Sequence, residues 1–331
     1  MPWHGSGGAT FSFGDVFGDG MGGRRSPGGG SRGRHSQPPP DLYPKGSKVA
    51  KLSEAKFPKK GSAYVWLVHF YSPRSSTCRR LVSTMERLGE ALQGVAKVVA
   101  VDCSSEDLFC SRMGVDGFPS VQLVVDGQAT VFEGNYEAKP LHEFTLENLP
   151  ADHVANVRRK EQADEFLRGP CVAGSQWGVC GILFTDKFDT SPALKSLAFR
   201  YRDRVAFGEV RGRNDALARA FYVDSQPKLL FFCGGDAAAT FAYEGELRGE
   251  ALVIYVKGLR DGKRCEEARQ EAARKKQKMA RPLRPDEDFS NMRVREMREL
   301  LGARGEECVG CVEKADFIRK LQEVAMAQQG S

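Results

Sequence analysis

Two stretches of this 331-residue chain carry the same punctuation, and that repeat constrains the fold more than any other sequence feature. In the first, Tyr64–Tyr71 reads as a buried strand, and Thr77 to Leu92 as a helix with Leu81, Met85, Leu88 and Leu92 on one face. A second apolar strand, Val95–Val101, and a short helix, Asp107–Met113, follow. Then come a hairpin, Val121–Val125 and Val131–Phe132 around Gly127, and a helix over Leu141–Leu149. The second stretch repeats the order: strand Gly181–Thr185, a helix capped by Thr190 or Ser191 with Pro192 in its first turn, and strand Val205–Val210. Helix Asn214–Tyr222, hairpin Lys228–Phe232 with Ala239–Tyr243, and helix Glu250–Leu259 complete it. Strands alternating with helices and ending in a hairpin predict two tandem α/β domains, each a mixed sheet flanked by helices.

The segments around this repeat differ from it. Gly5 to Arg34 is mostly Gly, Ser and Arg with Phe11, Phe13 and Phe17 interspersed, and Pro38–Pro40 close it. Such a stretch buries too little apolar surface to offset backbone entropy, so residues 1–45 read as a disordered tail. The tail has no apolar run of signal-peptide type. The boundaries expected after it are 46–150 and 151–262 for the two α/β domains, 263–288 for a charged helix and linker, and 289–327 for a small helical domain. In Lys263–Lys278, Glu266, Glu267 and Glu271 interleave the basic residues, which predicts a solvated helix face. The last unit reads as two helices, Asn291–Leu301 and Val312–Met326, with Val294, Met297, Leu300, Leu301, Phe317, Ile318, Leu321 and Val324 as its core and Cys308-Val-Gly-Cys311 between them. A net charge of +6 is too mild to predict nucleic-acid binding. The longest apolar run falls far short of the ~20 residues of a membrane span, so no span is expected.

The chemistry-bearing segment is Val68-His69-Phe70-Tyr71-Ser72-Pro73-Arg74-Ser75-Ser76-Thr77-Cys78-Arg79-Arg80, at the end of a strand and the start of a helix. It resembles the active-site segment of the protein disulfide isomerase family, where Phe-Tyr-x-Pro-Trp precedes Cys-x-x-Cys. Val115-Asp116-Gly117-Phe118-Pro119-Ser120 resembles that family's cis-proline loop. The resemblance covers Lys48 to about Leu149 and implies a thioredoxin fold with Pro119 as the cis-proline. Ser225-Gln226-Pro227-Lys228 resembles the same loop in the second repeat, with Pro227 as its cis-proline. There Phe184-Thr185-Asp186-Lys187-Phe188-Asp189 stands where a redox motif would be. The second repeat therefore resembles the family's redox-inactive domains, which serve as structural and client-binding modules.

The departures from the family carry the functional expectation. Its nucleophilic cysteine is replaced by Ser75, whose hydroxyl does not attack disulfides at useful rates; its Trp is Arg74, and its buried acid is His69. His69 is either a hydrogen-bonded core histidine or a proton acceptor. Cys78 holds the place of the resolving cysteine. Arg74, Arg79, Arg80 and the helix dipole favour its thiolate if it is accessible, yet a lone thiol cannot cycle between dithiol and disulfide. It is either a packing cysteine or a mixed-disulfide thiol.

Asp-Cys-x6-Cys segments like Cys103/Cys110 occur in some secretory domains of the family, and the spacing lets the Cα atoms reach the ~5.5 Å a disulfide needs. Cys171/Cys180, expected in a loop before a strand, are also bridgeable; four buried thiols are the alternative. For Cys308/Cys311 a zinc site needs four ligands and no second pair follows, and a thioredoxin motif needs a preceding strand. Met292 to Val324 resembles the SAP-like C-terminal domain of the ARMET family, which carries a Cys-x-x-Cys between two helices. The tail run Phe11-Ser-Phe-Gly-Asp-Val-Phe17 resembles the Gly/Phe-rich region of DnaJ-type co-chaperones. No J domain or His-Pro-Asp motif accompanies it, as expected of the remainder of a J-domain/thioredoxin chimera.

Together these resemblances imply a chaperone or scaffold of the endoplasmic reticulum lumen. Such a protein would bind unfolded or cysteine-containing clients through Phe118 and Pro119, as the family's cis-proline loop does, with Arg79 and Arg80 favouring acidic segments, and a chaperone complex would be a further partner. No cofactor or metal is implied, and nucleic acid is not an expected partner. Two alternatives stand beside it. One is a weak thiol–disulfide isomerase using Cys78 or Cys308/Cys311. The other is a nuclear or axonemal interaction protein whose SAP-like module binds nucleic acid or protein.

Overall fold

The computed structural model describes residues 41–328; the reading of the tail as a Gly/Phe-rich disordered region lies largely outside them. Two five-stranded mixed sheets are each flanked by helices, and a helical region follows.

The first sheet is built on β2 (Trp66–Tyr71), whose last five residues are buried because helices cover both faces. The period-2 alternation of a strand sends Leu67 and Tyr71 toward one core, under α1 (Ser76–Ala91) and α3 (Ala138–Glu147), and Val68 and Phe70 toward the other, beside α2 (Asp107–Arg112). β3 (Lys97–Asp102) pairs in parallel with β2 and with the short β1 (Ala50–Lys51). β4 (Ser120–Val125) and β5 (Gln128–Val131) extend β2 antiparallel, giving the order β1-β3-β2-β4-β5.

The second sheet has the same plan, β6-β8-β7-β9-β10, from β6 (Val154–Asn156), β7 (Val179–Thr185), β8 (Ala206–Arg211), β9 (Lys228–Cys233) and β10 (Asp236–Tyr243). Every residue of β7 is buried, as befits a central strand. Its helices are α4 (Lys160–Arg168), α5 (Pro170–Ala173), α6 (Pro192–Arg200), α7 (Asp215–Ala220) and α8 (Gly249–Gly258). Of the two candidate caps for α6, Ser191 serves: its hydroxyl accepts from the Leu194 amide at 3.3 Å, with Pro192 in the first turn.

The two units touch closely. Gly94 lies against Gly249, and a Cβ on Gly94 would sit 2.6 Å from the Gly249 carbonyl carbon, so only glycine fits. Arg200 donates to the Tyr64 hydroxyl at 2.8 Å, and Arg202 donates to the Ser62 carbonyl and pairs with Asp126, each at 3.3 Å.

Three expectations are corrected. Residues 41–45 are not all tail: Tyr43 is 2% exposed, because its ring packs edge-on against Tyr71 in the first core. α9 (Lys263–Ala280) is not solvated all round: Cys265 and Ala268, one turn apart, bury a stripe against β9 and β10. The linker also contributes Leu283 to the core of the C-terminal module, together with Phe289 from just beyond it, beneath α10 (Val294–Gly302) and α11 (Lys314–Ala327).

Candidate functional site

The site lies where β2 hands over to α1. The first amides of a helix lack intrahelical partners, and here the Ser75 hydroxyl answers one of them: it caps α1 and accepts from the Cys78 amide at 3.3 Å. Cys78, one turn in, faces the core among Leu81, Met85 and Tyr43 and is 0% exposed. It is the free cysteine of the chain. Arg74 is exposed at the tip. Arg79 folds back, donating to the carbonyls of Pro73 at 2.8 Å and Arg74 at 3.1 Å, while Arg80 donates to the Thr77 hydroxyl at 3.2 Å. Arg79 thus braces the loop that would otherwise carry a redox motif.

Beneath the loop, His69 is fully buried and its Nδ1 is hydrogen-bonded to the Tyr43 hydroxyl at 2.6 Å. Its Nε2 has no hydrogen-bond partner. Burial alone drives its pKa down to about 3, so it stays a neutral imidazole at physiological pH. The Tyr43 and Tyr71 hydroxyls are pushed above their ordinary range, first by burial. The Phe118–Pro119 peptide bond is cis, with Phe118 43% exposed and Pro119 partly buried. The Gln226–Pro227 bond is also cis.

The remaining eight cysteines form four disulfides. Cys103–Cys110 joins the end of β3 to α2, with Cα atoms 5.8 Å apart. Cys171–Cys180 has Cα atoms 5.1 Å apart, but not in a loop: Cys171 lies in α5 and Cys180 in β7. Cys308–Cys311 closes the turn between α10 and α11, with Cα atoms 5.6 Å apart. A groove of about 450 Å³ beside that pair is lined by Arg298, Leu301, Glu306 and Phe317. Cys233–Cys265, which ties β9 to α9 over a separation of 32 residues, was missed from the sequence. Only the parity of the unassigned cysteines hinted at it. Among the described residues no cluster of three or more His, Cys, Asp or Glu could hold a metal ion, and no helix is long and apolar enough to cross a membrane.

The thioredoxin family matches residues 48–147, and the ARMET C-terminal family matches residues 286–327. A putative protein disulfide-isomerase of Dictyostelium discoideum is 28% identical over 224 residues, covering 65% of this chain and 53% of that protein. Protein disulfide-isomerase 2-3 of Arabidopsis thaliana is 32% identical over 244 residues, covering 66% and 55%. The chain thus spans about half the length of these relatives. The crystal structure of ERdj5 form II shares the fold, with a TM-score of 0.51 at 18% identity over 65% of this chain and 30% of that one. The class is therefore a thioredoxin-fold protein whose first unit has Ser75 at the cap of α1 and Cys78 as its buried free cysteine. More specifically, the chain carries a thioredoxin domain and an ARMET-like C-terminus and is similar to protein disulfide isomerases.

Proposed function

We propose that the protein is a client-binding chaperone or scaffold of the endoplasmic reticulum lumen with little or no dithiol exchange of its own at the first thioredoxin-like site. The observation that carries this reading is the Ser75–Cys78 pair. Disulfide exchange begins with attack by an exposed thiolate. Here the exposed helix tip bears a hydroxyl already engaged as a cap, while the sulfur is buried. What remains at the surface is the exposed Phe118 beside the cis-peptide bond and, at the tip of α1, the exposed Arg74. Such a surface suits extended segments that carry an aromatic or aliphatic residue and acidic neighbours. The four disulfides support the oxidising compartment.

Insulin reduction with dithiothreitol as electron donor tests the chemistry. The wild-type chain and Cys78→Ser should both stay at the uncatalysed rate, whereas Ser75→Cys, which rebuilds the dithiol, should gain turnover. Wild-type turnover that vanishes in Cys78→Ser overturns the reading. Binding is tested by suppression of the aggregation of a reduced client, which Phe118→Ser should weaken roughly three- to tenfold, the effect expected of losing an aromatic anchor.

One observation favours a second reading. Cys308 and Cys311 are only partly buried and line a groove, so they could act as a small redox couple. Residual reductase activity that survives Cys78→Ser but is lost in Cys308→Ser would assign catalysis to the C-terminal module.

A further inference from the structure

The two thioredoxin-like units end equivalent helices in the same way but with different residues. After α2, Gly114 adopts φ +71°, its amide bonds to the Ser111 carbonyl, and the Val115 amide reaches back to the Cys110 carbonyl. After α7, Tyr222 adopts φ +55°, its amide bonds to the Arg219 carbonyl, and the Val223 amide reaches back to the Ala218 carbonyl. Each turn then runs through Val-Asp to a cis-proline, Pro119 or Pro227. A left-handed residue at this point of a helix end is ordinarily glycine, since any Cβ crowds the backbone. The second unit has put an aromatic residue where its sister has glycine, and an outlier of this kind asks what the side chain does.

Tyr222 is 49% exposed, so its own unit does not enclose it. Two cations from beyond that unit flank its ring. The Arg295 guanidinium of α10 lies over the ring, 4.0 Å from its centroid, and Lys275 of α9 approaches to 5.7 Å. Glu299, whose side chain is only 10% exposed, joins the two cations, pairing with Lys275 at 2.5 Å and Arg295 at 3.2 Å. Burial, and then the Glu299 carboxylate through its charge and a hydrogen bond with the hydroxyl, raise the Tyr222 hydroxyl above its ordinary value, as befits a side chain set against this cluster.

We propose that Tyr222 is an intramolecular latch, an aromatic platform on which Arg295 docks and so holds the C-terminal helical module against the second thioredoxin-like unit. The covalent anchor of α9, Cys233–Cys265, lies near its start, so everything from the second half of α9 onward is held to that unit by contacts such as this one. The latch sits five residues before Pro227, which places the module beside the second cis-proline turn.

Limited trypsin digestion of the full chain, following cleavage between Lys275 and Arg284, reads the latch. Tyr222→Gly should speed that cleavage roughly two- to tenfold, the range of a single cation–π contact. Because glycine suits the left-handed turn, the thermal midpoint should be unchanged or raised. Tyr222→Phe, which keeps the ring under Arg295 but loses the hydroxyl's bond to Glu299, should digest more slowly than Tyr222→Gly, and Arg295→Gln should digest faster than wild type. Unchanged cleavage in Tyr222→Gly or Arg295→Gln overturns the proposal. So does a lowered midpoint in Tyr222→Gly, which would make the ring a packing residue of its own unit, or a Tyr222→Phe variant that digests like Tyr222→Gly.

Discussion

The two thioredoxin-like units share a strand order and a cis-proline turn, yet each buries a different polar group under the place where a redox motif would stand. In the first, the central strand carries His69, and its neighbour across β3 is Ala100. In the second, the corresponding residue is Leu183, and its neighbour across β8 is Glu209. Glu209 is 1% exposed, bonded by the Thr190 hydroxyl and paired with the Arg211 guanidinium at 3.2 Å. A titratable group is thus kept in both cores but moved one strand over, from an uncharged imidazole to an ion-paired carboxylate. His69 can be uncharged and still be satisfied on one nitrogen by Tyr43; Glu209 needs its cation. The units also differ in their covalent ties. One short bridge braces the first, whereas the second has both Cys171–Cys180 and the long Cys233–Cys265 closure.

That difference predicts the largest effect. In the chain-entropy picture the stabilisation by a disulfide is a constant plus a part that grows with the logarithm of the loop it closes. Replacing Cys233 and Cys265 together by Ala should cost roughly 4 kcal/mol, while replacing Cys103 and Cys110, separated by 7 residues, should cost roughly 2.5 kcal/mol. Denaturant unfolding of the two double variants should rank them in that order. Equal losses would show that local strain or packing at α9, and not loop length, governs the second unit.

The next effect is the pH dependence that His69 gives the first unit. His69 takes up its proton near pH 6.5 in the unfolded chain but only near pH 3 when folded. The unfolded state therefore binds more protons over that window, and stability, full above pH 6.5, falls as the pH drops toward 3. At pH 5 the loss should be roughly 2 kcal/mol. His69→Leu, which copies Leu183, should reduce the difference between urea midpoints at neutral and mildly acidic pH, whatever it does to absolute stability; burial also lowers the pKa of His142, which keeps the remainder. An unchanged pH slope in His69→Leu would mean that the protonated imidazole is accommodated after all.

The same contrasts show what could be read without coordinates. The alternation of strand and helix was legible because central strands buried on both faces are continuous apolar runs, and α1 carries Leu81, Met85 and Leu88 at helical spacing. α4 is hard to read because its buried face is only Ala163, Phe166 and Leu167 amid charged residues, and local pattern therefore leaves Cys171 in a loop. α9 looked solvated because its buried stripe is small, Cys265 and Ala268. The missing nucleophile at Ser75 was visible in the sequence. The burial of Cys78, the recoil of Arg79 onto its own loop and the pairing of Cys233 with Cys265 depend on packing and long-range register, which local pattern does not encode.

The smallest effect is the mirror image of the Tyr222 experiment. If the helix-ending turn is the same device in both units, its cost should appear when a Cβ is added to the first. Gly114 sits at φ +71° with nothing within 4 Å of the place a methyl group would take, so Gly114→Ala meets no clash and feels only the backbone preference. A left-handed alanine in place of glycine should cost about 1 kcal/mol, measured as a shift in the urea midpoint at unchanged slope. Gly114→Asn, which tolerates the left-handed region better, should lose less. Should Gly114→Ala leave the midpoint where it was, the turn would be relaxing out of the left-handed region, and the tyrosine of the second unit would then carry no backbone penalty either.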